Sequence, residues 1–339
     1  MQKGLFSPYP DLPEKDLISK VLDPKLALQA LESMLLIRHL ETRGEAAYQH
    51  GFVGGFYHSY AGQEAIQTSA VQVFGTNQWY IATYRCHALA YLLGATPNEI
   101  MAELYGRATG VAKGRGGSMH LYADTLLGGF GIVGGHLPSA CGAAFSAKYL
   151  EQNRISVCFL GDGAVAQGAF HESLNIASLW NLPVIFIIEN NVWGMGTRVD
   201  RAICIDRIAE KQAPSYNMQG YTLDGMNYFH CRAGFQHIFA EVQKTSRPVL
   251  VECLCERFRG HSISDPGVYR SKQELEEAKQ RDPIVYMRHV LEERELLTAE
   301  EFQEIERKAK QRVLDAMQFA EESPFPEETE LEEGVYAES

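Results

Sequence analysis

Residues 155–191 read ISVCFLGDGAVAQGAFHESLNIASLWNLPVIFIIENN. Two apolar runs, 155–160 and 184–188, each end in a polar turn: Gly161-Asp162-Gly163 after the first, Asn190-Asn191 after the second. Between them, residues 168–180 have the length of a helix. The order is strand, turn, helix, strand. The right-handed crossover of such units makes the strands parallel and puts both turns at the same sheet edge. If the strands are neighbours they lie about 4.8 Å apart, close enough for the Asp162 carboxylate and the Asn191 amide to share one hard cation. Two protein oxygens, a carbonyl and a diphosphate form a common magnesium set. The stretch therefore predicts an α/β fold able to hold a magnesium-bound diphosphate cofactor.

Alone, Asp162 reads as a helix cap after a strand, and either asparagine as a strand-ending turn. The pair at this spacing favours the metal. Gly161 and Gly163 let the backbone turn tightly and approach phosphate. Gly163 and Ala164 then offer amides near a helix N-terminus, a natural anion site.

Outward from this core, residues 248–255 form a third apolar run. Continuous rather than alternating apolar character fits a mainly parallel sheet with helices on both faces. Residues 1–22 read as an extended arm. Asp23-Pro24 starts a long helix that ends near residue 50, before the glycines of 51–55. Thr96-Pro97-Asn98-Glu99 is a capping box. Residues 106–137 are glycine-dense and irregular, the kind of long loop that is usually functional. Residues 257–271 are another loop. Asp282-Pro283 and Thr298–Glu301 open charge-rich C-terminal helices. The expected division is an arm over 1–22, one α/β domain with its helical extension over 23–322, and an acidic, mobile tail over 323–339.

The chain of 339 residues has a formal net charge of −12, and Lys113 and Arg115 make only a short basic spot. A nucleic-acid footprint is missing. The apolar runs fall short of a membrane span. Seven scattered cysteines show neither zinc spacing nor a disulfide framework, which fits a reducing compartment. These features predict a cytoplasmic protein, or a mature form whose targeting segment is already absent, with no nucleic-acid or membrane partner. No G-x-G-x-x-G follows an early strand, which argues against a nicotinamide dehydrogenase.

Further segments add specificity: GFYHSYAGQEA, ATYRCHA, AELYGRATGVAKGRGGSMH, GGFGIVGGHLP and FRGHSISDPG. With the GDG and NN turns, they make the chain resemble the alpha subunits of thiamine diphosphate-dependent 2-oxo acid dehydrogenases, from about Met34 to Met317. Gly62-Gln63-Glu64, where branched-chain relatives usually carry GEE, points to the pyruvate branch. So does Tyr84-Arg85-Cys86-His87, where acetoin dehydrogenases tend toward HRGH. The resemblance implies an oxidoreductase that decarboxylates pyruvate and passes an acetyl group to the lipoyl group of an acyltransferase component. Branched-chain and acetoin dehydrogenase subunits are the alternatives. A non-catalytic regulatory subunit of the same fold is a remoter one.

By the same resemblance, Asp162, Asn191 and the backbone carbonyl of Trp193 (a position often Tyr) hold Mg2+. Tyr84 and Arg85 contact the diphosphate, and Gly131 and Val133 the aminopyrimidine ring through their backbones. His261 lies by the diphosphate and His58 by the substrate. On the residues alone, a structural histidine is an equal reading for either. Arg257 matches another loop arginine of the family. Ser262 matches a position phosphorylated in animal relatives, although an ordinary loop serine is the better reading. His87 is expected to be structural. The family's activating glutamate comes from a separate beta subunit. The resemblance thus implies half a site within an assembly of two alpha and two beta chains.

Overall fold

The computed structural model describes residues 8 and 12–333. Its centre is a six-stranded sheet in which every pairing is parallel: β1 (Trp79–Thr83), β2 (Leu126–Phe130), β3 (Ser156–Gly161), β4 (Val184–Asn190), β7 (Gln219–Asp224) and β8 (Val249–Leu254). A separate two-stranded ribbon, β5 (Trp193–Gly194) with β6 (Thr197–Arg198), projects after β4. The sheet order is β2-β1-β3-β4-β8-β7. The three apolar runs of the sequence are β3, β4 and β8, and they are neighbours, with Gly161 paired to Glu189.

Alternate residues of these strands face two different cores. Val157, Phe159, Ile185, Ile187, Val249 and Val251 join the larger one. Cys158, Leu160, Val184, Phe186, Ile188 and Leu250 join the smaller one. The period of two places successive side chains on opposite faces, so a strand covered on both sides must be apolar throughout. The larger layer is built mainly from α1 (Glu14–Val21), α2 (Pro24–Gln49), α3 (Glu64–Phe74), α4 (His87–Leu92), α5 (Pro97–Leu104) and α10 (Tyr228–Thr245). It continues into α11 (Lys272–Gln280), α12 (Pro283–Glu293) and α13 (Ala299–Glu322). The other face carries α6 (Leu137–Tyr149), α7 (Gly168–Leu179), the short α8 (Val199–Ala202) and α9 (Ile208–Gln212).

The helix starts follow their caps. Asp23 accepts the Leu26 N–H, Asp282 accepts the Ile284 N–H, and Thr96 and Thr298 both complete capping boxes. Each such cap contributes about 1 kcal/mol.

Four expectations need correction or refinement. Within the arm, residues 14–21 are helical: α1 buries Leu17, Ile18 and Val21, and Glu14 accepts from Asn227 and Tyr286. Residues 1–7 and 9–11 lie outside the described residues. The 106–137 stretch is not wholly irregular, since it contains β2. The helix N-terminus expected near Gly163 and Ala164 is that of a 3-10 turn, Asp162–Ala166, which precedes α7. Finally, as far as Glu333, the tail is held against the 107–115 loop. Arg107 stacks on Phe325 at 3.8 Å, the Ala108 N–H donates to Pro324 O at 3.0 Å, and Lys113 pairs with Glu330 and Glu333.

Candidate active site

In parallel sheets, ligands bind beyond the carboxyl ends of the strands, where the chain order reverses. Here β1 leads outward to β2, and β3 leads the other way to β4, so the reversal lies between β1 and β3. A cavity of about 540 Å³ opens there. Its walls are the segments after β1 (Tyr84, Arg85), β2 (Gly131, Val133), β3 (Asp162, Gly163, Ala164), β4 (Asn191, Trp193) and β8 (Arg257, His261), with His58 from the loop before α3. Every residue given a metal, cofactor or proton-handling role in the sequence reading therefore lines one space.

The turn after β4 is strained. Val192 has φ 73°, a left-handed conformation that a β-branched residue seldom takes. It is held by its N–H, which donates to Asn190 Oδ1 at 3.0 Å, and by its carbonyl, which accepts the Val199 N–H at 2.8 Å. Such strain concentrates where a site must be shaped. Beside it, Asn191 Oδ1 is buried without a partner.

Asp162 is 3% exposed, and burial raises its carboxyl to about 6 against the pull of the Asp162 and Asn191 N–H groups and of Arg257 and Arg85. A buried carboxylate beside an orphaned amide oxygen suits a hard cation. Among the described residues, no three or more His, Cys, Asp or Glu gather to bind a metal. A cation here depends on amide and carbonyl oxygen as well as Asp162. The Trp193 carbonyl is not idle, because Arg257 Nη1 donates to it at 3.0 Å. The Trp193 indole is spent on packing: Nε1 donates to Glu274 Oε1 at 3.1 Å, and the ring lies 4.9 Å from Tyr269.

Both arginines brace loops. Arg85 donates to Ser59 O at 2.5 Å and to His261 O at 2.6 Å. Arg257, 1% exposed, also donates to Met195 O at 2.9 Å and Tyr269 Oη at 2.5 Å, yet its Nε is buried and unpartnered. Two buried guanidiniums and an unused N–H favour an anion.

His58, Tyr84 and His261 cluster at the wall, with ring centroids 4.2 Å apart for His58–Tyr84 and 5.1 Å for His58–His261. Burial, then Arg85, lowers His58 to about 2 and His261 to about 4. Both imidazoles are neutral near pH 7 and able to give or accept a proton. His87 is structural, as expected: Nδ1 meets Glu41 Oε1, and Nε2 meets Ser118, both at 2.9 Å.

Sequence reasoning gave Glu189 no role. It is buried at the cavity wall, raised by burial to about 7, with Tyr60 Oη and Gln67 Nε2 both donating to Oε1. Its signal was an acid ending an otherwise apolar strand. Met119 and Gln63 are further wall residues assigned no site role from sequence.

Comparison with known proteins bears on this geometry. The family model described as "Dehydrogenase E1 component" matches residues 32–329. A protein of Rickettsia felis named pyruvate dehydrogenase E1 component subunit alpha is 42% identical over 311 residues, covering 91% of this chain and 95% of the relative. A relative of the same name in Rhizobium meliloti is 38% identical over 307 residues, covering 90% and 88%. The chloroplastic subunit alpha-3 of Oryza sativa is 38% identical over 322 residues, covering 92% and 76%.

Proposed function

Since the chain belongs to the dehydrogenase E1 component family, we propose that it is the alpha subunit of a pyruvate dehydrogenase, the thiamine diphosphate-dependent component that decarboxylates pyruvate and delivers the acetyl group to lipoyl on an acyltransferase partner. The observation that carries this reading is the convergence of five strand-end segments on one cavity, with an orphaned Asn191 oxygen, a buried Asp162 and an orphaned Arg257 N–H together in its wall.

In this reading Asp162 and Asn191 hold Mg2+. The Trp193 carbonyl, which here accepts from Arg257 Nη1, would join them, with the Arg257 guanidinium turned to the diphosphate. Tyr84, Arg85, Gly163 and Ala164 complete the diphosphate pocket, and Gly131 and Val133 meet the aminopyrimidine ring. Bound thiamine diphosphate supplies an electron sink for the carboxylate bond that breaks. The chain's own contribution is to exclude water, neutralise the diphosphate and manage protons. His58, neutral and unpartnered at Nδ1, is placed to exchange a proton with substrate. His261 stays beside the diphosphate.

The acid that activates the aminopyrimidine comes from the beta subunit. Among the described residues, Asp162 and Glu189 are the only carboxylates lining the cavity. Asp162 is assigned to the metal, and Glu189 is tied to Tyr60 and Gln67. The working enzyme is then an assembly of two alpha and two beta chains, with interfaces burying well over about 2,000 Å². The free cysteines fit a cytoplasmic setting. Among the described residues no helix is long and apolar enough to cross a membrane.

The chain alone, given Mg2+, thiamine diphosphate, pyruvate and an artificial electron acceptor, should be silent, and adding the beta subunit should start turnover. Robust activity before that addition would refute the half-site and make Glu189 the acid to test. Assaying the assembly with pyruvate, 2-oxobutyrate, a branched 2-oxo acid and acetoin checks the pyruvate reading.

A further inference from the structure

The two asparagines at the end of β4 are used differently. Asn190 employs both ends of its amide: Nδ2 donates to Glu252 Oε1 at 2.7 Å, and Oδ1 accepts the Val192 N–H. Asn191 employs one end. Its Nδ2 donates to Gln63 Oε1 at 3.0 Å, and its Oδ1 is left buried without a partner. The two ends of a primary amide are opposite in polarity, and a half-turn about its last bond exchanges them. Only the oxygen end can meet a cation. Whatever takes the NH2 end decides which way the amide faces.

The backbone around Gln63 is locked in place, and its amide bonds through Oε1 alone, Nε2 being buried without a partner. Gln63 is fully buried at the start of α3 and forms part of the cavity wall. On one side Gly62 has φ +102°, and a Cβ there would lie 2.5 Å from Glu256 O and 3.0 Å from the Phe258 ring. No side chain fits where this turn presses against the 256–258 segment. On the other side, fully buried Glu64 grips Arg38 through two bonds, of 2.5 and 2.9 Å, and accepts the Gly62 N–H at 3.0 Å. Arg38 also pairs with Asp282 at 2.7 Å, which ties the turn to the start of α12. The residue that grips the Asn191 amide is thereby fastened to two distant parts of the chain.

We infer that Gln63 is a positioning residue for the cation site: by accepting from Asn191 Nδ2 it holds Asn191 Oδ1 toward the metal. The inference rests on the proposed magnesium and thiamine diphosphate reading of the cavity. It acts through Asn191 alone, with no contact between Gln63 and the metal.

The test uses the alpha and beta chains assembled with thiamine diphosphate. Mn2+ stands in for Mg2+, with free Mn2+ followed by its electron paramagnetic resonance signal. The unsubstituted assembly comes first, and absence of a tight Mn2+ site there would remove the reading of the cavity itself. Given that site, Gln63→Met should weaken Mn2+ by about 10–100-fold, the usual loss when an outer partner of a ligand is removed. Gln63→Glu keeps an acceptor for Asn191 Nδ2 and should retain the affinity. An Asn191→Asp background offers oxygen whichever way the group turns, so Gln63→Met should cost little there. Unchanged affinity in Gln63→Met would overturn the inference. So would a loss in Gln63→Glu equal to that in Gln63→Met, or the same loss in both backgrounds, because either outcome is what a packing role would produce.

Discussion

Glu103→Gln should open the loop that borders the cavity, although it only replaces one oxygen of a fully buried side chain with an NH2 group and hardly changes its volume. Glu103 lies in the last turn of α5, and its carboxylate gathers four backbone N–H groups: Ala112 and Gly114 on Oε2 at 2.8 and 2.9 Å, Gly116 and Gly117 on Oε1 at 2.6 and 3.1 Å. A carboxamide has one oxygen, so two of these bonds survive, and the new NH2 faces two donors. A hydrogen bond to a charged group contributes about 1.5–3 kcal/mol, so losing two costs at least about 3 kcal/mol, roughly a hundredfold in the local opening equilibrium. Lys113 and Arg115 lie inside the gathered loop with side chains 54% and 44% exposed, so trypsin can report on it. Where opening is fast relative to cleavage, the cleavage rate follows the open population. Cleavage after Lys113 and Arg115 should therefore rise by about a hundredfold relative to other sites. Cofactor affinity should fall with it, since Met119, two residues beyond the loop, lines the cavity. A cleavage rate within about threefold of the unsubstituted chain would refute the claim that the carboxylate organises this loop.

Asp162→Ala removes the one charged oxygen proposed for Mg2+, and calorimetric titration of the assembled mutant with Mg2+ and thiamine diphosphate should show at least about a 100-fold loss; unchanged affinity would sink the assignment. His58→Ala should lower turnover or acyl transfer while cofactor still binds, and His261→Ala should weaken cofactor as well; full overall activity in both would return them to structural roles. His136 is fully buried, and burial lowers it to about 4 although its Nε2 donates to Phe159 O. The folded state therefore stays neutral while the unfolded chain takes up a proton below pH 6.5, so stability is lost as pH falls from 6.5 toward 4, by about 3 kcal/mol in all and about 1.4 kcal/mol at pH 5.5. Urea midpoints at pH 7.5 and 5.5 should differ less in His136→Phe than in the parent; equal differences would contradict this.

The parts of the fold that were legible are those where burial leaves no choice of residue. β3, β4 and β8 are covered on both faces, so their sequences are apolar without interruption. β2 and β7 are the two edges of the sheet, and LLGGF and QGYTLD carry exposed positions and glycines that look like loop. β1 is interior but only five residues long. α1 escaped notice because Pro13 precedes it and no side chain caps it. The acidic tail looked mobile on charge alone, because its partners Lys113 and Arg115 lie over 200 residues away in the chain. In the site, the type and spacing of Asp162 and Asn191 were readable. Which atoms remain free was not: the open Nε of Arg257, the Arg257 bond to the Trp193 carbonyl and the Tyr60–Glu189 contact exist only once distant loops have met.

The same geometry bears on the half-site. The polar groups of the cavity are deep: Asp162, Asn191, Arg85 and Arg257 are at most 6% exposed. Its outer wall is apolar and bare, with Phe56, Val133 and Ile132 exposed by 58%, 44% and 77%. A ligand with a charged end and an aromatic end would find the first fully enclosed and the second at an open apolar rim. Leaving such a rim in water costs about 25 cal/mol per Å², and exposed apolar patches rimmed by polar residues mark surfaces that a partner covers. A closed pocket would need no second chain to exclude water from the reacting atoms. In the proposed half-site this one does, and the end left open is the end where that proposal needs the activating acid.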